Sequence, residues 1–219
     1  GVWPSAIIVG LYWLPASFLP LWAIWTSVQL YRQEWRENTS YLMLSLPVRA
    51  WTITSAKLAF VAAGLAGYSA LAAGGAWLLT ARMRALEEPL LTEFFGIVPF
   101  DWFISTAALA WGSGLLAVMM MSVVTQAAYV FSRLFHRFQA LVTVWAWLLF
   151  AWVLVRAASI GGWLLAWLPG IRIRTPHVVH DVSGFHTVTI ESGPLAAAIL
   201  AALALYLLLN VTLERAVEV

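Results

Sequence analysis

The sequence predicts an all-α, polytopic transmembrane helical bundle, and three observations carry that reading. Apolar residues make up 63% of the 219 and charged residues only 10%. Mean hydropathy is +0.86. Five apolar stretches are each long enough to cross a bilayer as a helix. A soluble domain of this length is nearer half apolar and a quarter charged, and would have nowhere to bury the excess. A spanning helix needs about 20 apolar residues, at about 1.5 Å each, to cross a hydrocarbon core of about 30 Å.

Taken in order, the first span covers about 5–30, and nothing before Arg32 is charged. It contains Pro15 and Pro20, so a kink is expected there, tolerated if neighbours satisfy the freed carbonyls. The second span covers 58–81 and the third 102–132, longer than the bilayer requires and so tilted or extended past it. The fourth covers 138–155 and the fifth 194–213. On the second span, Ala59, Ala63, Gly67, Ala70 and Gly74 recur at spacings of three and four. Such a stripe admits a second helix backbone as a packing seam; alanine-rich filler is the equal alternative.

Lysines and arginines orient the bundle. With the loop between the first two spans inside, Arg32, Arg36, Arg49, Lys57, Arg133, Arg137 and Arg215 are cytoplasmic. Arg82, Arg84, Arg156, Arg172 and Arg174 are then outer. The bias is small. Net charge is only +2, so the pI near 9.2 is no nucleic-acid footprint. Fourteen tryptophans suit the two bilayer interfaces.

Between the first two spans, 32–57 is polar and patterned. Tyr31, Trp35, Leu42 and Leu46 share one helical face, with Arg32, Gln33, Arg36, Glu37 and Ser40 opposite. This reads as an amphipathic segment lying at the interface, interrupted by Pro47, or else as a solvated connection. Beyond the fourth span, 157–171 is uncharged but broken by Gly161, Gly162, Pro169 and Gly170. It is too short to span and too apolar for water, so a re-entrant or surface-lying outer segment is expected. The following external loop, 172–191, contains HVVHDV-SG-FHTVTI, whose period-two alternation around Ser183-Gly184 predicts a small β-hairpin.

The chemistry absent from the chain is informative. It has no GxxxxGK[ST], GxSxG or HExxH, and no clustered carboxylates or histidines within a span, which membrane-embedded catalysis needs. It lacks the internal repeats of secondary transporters. No catalytic residue and no cofactor are therefore expected in this chain. With no cysteine, disulfides and thiolate metal sites are excluded. His177, His180, Asp181 and His186 have metal-ligand chemistry, but alternation puts His177 and His180 on opposite strand faces, and no metal is expected. Arg156 ends the fourth span. It either snorkels to headgroups or contacts an anionic substrate or headgroup at the outer face.

The run EWRENTSYLMLSLPVRAWTITSAKL resembles the cytoplasmic segment of type-2 ABC transporter permeases. Those carry an acidic residue, an apolar stretch ending in Leu-Pro, a basic residue, and a lysine opening the next span. Here these match Glu34 or Glu37, Leu46-Pro47, Arg49 and Lys57. The close of the chain, YLLLNVTLERAVEV, is similar to the ends of many such permeases. The resemblance implies six spans, both termini cytoplasmic, and a coupling helix between the second and third. The five spans here would then be the last five, with the first upstream of Gly1. It also implies a bacterial plasma-membrane exporter subunit that pairs with a second permease copy or a related permease. ATP and magnesium would be held by separate ABC ATPase subunits. Coupling to these would run through Glu34, Trp35, Arg36, Glu37, Leu42, Leu46, Pro47 and Arg49. The competing reading is a non-transporting membrane scaffold subunit of a secretion or assembly complex.

Overall fold

The computed structural model describes residues 17–36, 50–85, 100–135, 137–176 and 185–217. In chain order these form α1 (Leu19–Arg36), α2 (Ala50–Ala85), α3 (Phe100–Ser132), α4 (Gln139–Leu164), β1 (Ile171–Pro176), β2 (Phe185–Ile190) and α5 (Ser192–Val217). Among the described residues, four helices are long and apolar enough to cross a membrane: α2 over Ala50–Leu79, α3 over Ile104–Ser132, α4 over Gln139–Leu164 and α5 over Ser192–Glu214. The chain is a multi-pass helical membrane protein. The first predicted span falls partly outside the described residues; its described part is helical from Leu19. Pro20 lies in the first turn of α1, where its missing N–H costs no intrahelical bond.

The bundle is built around α3. Every residue from 122 to 130 is buried, because α1, α4 and α5 all pack on that length of α3. One cluster joins Tyr31, Val124, Ala127, Ala128, Phe150, Leu205 and Leu209; a smaller one joins Leu19 and Ala23 of α1 to Val61 and Leu65 of α2. The rest of the surface is oil. No more than a third of any spanning window is buried by the chain itself, and Trp77, Trp145, Trp152 and Trp163 are exposed. Such a surface is stable in hydrocarbon and would aggregate in water.

The end of α4 and the start of α5 meet with almost no side chain between them. A Cβ at Gly161 would run into Ala197, and one at Gly193 would come within 3.2 Å of the Leu165 and Gly161 carbonyl oxygens. Small residues let the backbones approach this closely. At the opposite end the α3–α4 link is tight, and Phe138, with φ 60°, is the N-cap residue of α4. A bulky side chain in that left-handed region costs about 1–2 kcal/mol.

Several boundaries differ from those predicted. Helix α1 runs through Arg36, so Tyr31–Arg36 are its last turns rather than the start of a separate interfacial segment. No glycine or proline intervenes there to stop it. Helix α2 begins at Ala50, eight residues ahead of the predicted span, with Lys57 two turns inside it. The predicted re-entrant segment is, from Ala157 to Leu164, the end of α4. Gly161 and Gly162, read as breakers, instead serve the crossing with α5. β1 and β2 pair antiparallel, Ile171 opposite Ile190 and Pro176 opposite Phe185. The second strand of the predicted hairpin is β2. The first lies upstream of the predicted one, and the Ser183-Gly184 turn is outside the described residues.

Candidate functional site at the charged end of the bundle

The C-terminal ends of α1 and α3, the N-terminal end of α2 and the C-terminal half of α5 converge on one polar cluster. Its centre is an ion pair between Lys57 of α2 and Glu34 of α1, whose side chains are 7% and 20% exposed. The Lys57 ammonium lies 3.4 Å from the centre of the Tyr31 ring, which is itself buried. A cation this desolvated gains from both a carboxylate and a π-face. Removing one member would leave the other charge stranded, the costly case for a buried pair.

The pair is flanked by two polar groupings. On one side, the Arg133 guanidinium stacks 4.5 Å from the Trp35 ring and 4.8 Å from the Tyr129 ring. It donates to the Tyr129 hydroxyl and, over 3.1 Å, to Gln139 Oε1 of α4. On the other, the buried Thr54 hydroxyl donates to Asn210 Oδ1 of α5. The Tyr206 hydroxyl donates to the Trp51 carbonyl over 3.1 Å, and Asn210 Nδ2 to the Tyr206 carbonyl over 2.8 Å. All five helices thus contribute to the cluster.

Deeper in, the pattern changes. Ser122 and Thr125 each donate to a carbonyl of their own helix, and the Trp147 indole donates to Thr125. Ser27 Oγ, Tyr31 Oη and both amide atoms of Gln126 are buried with no hydrogen-bond partner among the described residues. Each such group costs about 1–3 kcal/mol if it stays dry.

No family model, curated protein or solved structure matches the chain. The site therefore stands on its own geometry.

Of the predicted coupling residues, Glu34 is in the ion pair, Trp35 packs against Tyr129 and Arg133, and Arg36 ends α1 exposed to its surroundings. Glu37, Leu42, Leu46, Pro47 and Arg49 lie outside the described residues. Ala59, Ala63, Gly67, Ala70 and Gly74 are all exposed, and nothing lies within 4 Å of where a Cβ would stand at Gly67 or Gly74. No described element fills that stripe. Arg156 is exposed on α4, its guanidinium 5.4 Å from the Trp152 ring. Of the histidines and Asp181, only His186 is described, in β2 opposite Thr175. No metal-binding group of three or more ligands occurs among the described residues.

Sequence reasoning missed Thr54, Arg133 and Asn210 as members of one cluster, and Ser27 and Gln126 as buried polar groups behind it. A signal existed. Ser122, Gln126, Tyr129 and Arg133 repeat at helical spacing on an otherwise apolar helix, as do Ser27 and Tyr31 on α1.

Proposed function

We propose that this chain is the membrane-spanning permease subunit of an ATP-driven ABC exporter, coupling to a separate ATPase subunit. The observation that carries the reading is the Glu34–Lys57 ion pair. It ties together the two helix ends between which residues 37–49 are strung, the stretch whose sequence resembles a coupling segment. A segment pushed by an ATPase moves helices only if its ends are fastened to them. Here α1 and α2 are joined to each other through the pair, to α3 through Tyr31 and Tyr129, whose ring centres are 6.4 Å apart, and to α5 through Thr54 and Asn210. A displacement of the segment would therefore act on four helices together. The exposed small-residue face of α2 is compatible with a second permease copy. Glu37, Leu42, Leu46, Pro47 and Arg49 would meet the ATPase, with Trp35 anchoring the segment to the bundle.

The test is to express the chain with the ABC ATPases of its host, purify it through a tag, and measure ATPase stimulation in vesicles. A nucleotide-binding subunit is expected to co-purify. Replacing Trp35 and Glu37 together by alanine should remove most of the stimulation while the chain still inserts. Absence of any ATPase, or full stimulation by the double variant, would overturn the reading and favour the scaffold alternative.

A further inference from the structure

We propose that the turn between α3 and α4 is an anionic-phospholipid site, with Arg137 meeting the headgroup phosphate and Phe138 set among the acyl chains beside it. This does not depend on the permease reading.

The helices it joins fix the turn at the edge of the bilayer. The spanning part of α3 ends at Ser132 and that of α4 begins at Gln139, so the six residues between them stand at the level of the headgroups. Arg133 clamps the turn. Its guanidinium donates across it to Gln139, over 3.1 Å, and is held against the Trp35 and Tyr129 rings. From the turn, Phe138, Leu141, Trp145, Leu148 and Trp152 recur every three or four residues, and each is at least half exposed. This is one hydrocarbon-facing stripe of α4, and Phe138 is its last member at this end. Phe138 is 77% exposed and has a φ of 60°, a region that disfavours a bulky residue and suits glycine. A ring kept exposed in a strained position makes its favourable contacts outside the chain.

Charge names the partner. Arg137 is exposed and makes no hydrogen bond or ion pair among the described residues. Arg32 and Arg36 are exposed on the last turns of α1, which Trp35 brings alongside the turn by its contact with Arg133. Glu34 is already paired with Lys57, leaving Glu214 of α5 as the other acid described at this end. A guanidinium fork matches phosphate oxygens, and each arginine near an anionic membrane surface raises binding about fivefold. A soluble acidic partner could meet Arg137 but would leave Phe138 in lipid. A phospholipid satisfies both, phosphate on the arginine and acyl chain on the ring.

The full chain would be purified in neutral detergent and given equal amounts of phosphatidylglycerol and phosphatidylcholine with the same acyl chains. Bound lipids are then counted by native mass spectrometry. Phosphatidylglycerol is expected to be retained at least about fivefold over phosphatidylcholine. Arg137→Gln should remove most of that preference. Arg172→Gln, which takes an exposed cation from β1 at the far end of the bundle, should leave it unchanged. Phe138→Gly should lower retention of both lipids several-fold without lowering the melting temperature, since glycine relieves the strained φ. If that variant does not fold, Phe138→Asn, which tolerates the same φ, takes its place. Equal retention of the two lipids, a preference that survives Arg137→Gln, or equal losses from Arg137→Gln and Arg172→Gln would each overturn the proposal. So would lipid retention untouched by replacing Phe138.

Discussion

Lys57 and Glu34 illustrate how one contact converts an awkward pair of charges into a structural joint. Either charge alone, buried where it is, would be strongly penalised; together, with the Tyr31 ring beneath the ammonium, they are tolerated. Lys57→Met should therefore lower stability by about 2–4 kcal/mol, the partly solvated Glu34 holding the cost below that of a fully buried charge. Glu34→Gln added to Lys57→Met should restore much of the loss. The measurement is the apparent melting temperature of each variant in detergent. A double variant no better than the single one would show that the pair is not coupled.

At the scale of elements, the α4–α5 crossing and the outer stripe of α2 use the same residue types for different ends. Gly161 is a position where the partner backbone is already present. Gly161→Val should cost about 1–3 kcal/mol by overpacking. Gly67→Val, with open space around it, should leave the stability of the isolated chain within about 0.5 kcal/mol of the original, as for ordinary surface changes. If the α2 stripe receives another copy of the chain, Gly67→Val should instead shift the oligomer distribution in cross-linking. The contrast also shows where sequence reading stops. Spacing identified the α2 stripe, but it read Gly161 and Gly162 as breakers, because a glycine's role depends on what approaches it.

For the whole molecule, the orientation proposed for the permease reading puts the C-terminus in the cytoplasm. A green fluorescent protein fused after Val219 should fluoresce and a phosphatase fused at the same point should be inactive. The reverse result would invert the bundle and put the Glu34–Lys57 cluster at the outer face. The apolar exterior fits either orientation, so this measurement decides which compartment the cluster meets.

Composition and length by themselves determined that the chain forms membrane-crossing helices, because a bilayer leaves an apolar backbone few other ways to satisfy its polar groups. Periodicity also singled out Trp35 and the second strand of the β1–β2 ladder, while Glu34 entered only through the family resemblance. Only the tertiary structure decided that α1 continues to Arg36, that Lys57 lies inside α2 rather than at its mouth, and that Tyr31, Thr54, Arg133 and Asn210 gather at one end, with Ser27 and Gln126 buried further in. The physical reason is that hydropathy reports the solvent around a helix, whereas polar side chains scattered among spans become a site only when packing removes them together from lipid and water. The apolar stretches seen first in the sequence are thus the walls, and the few polar residues interrupting them are what the walls enclose.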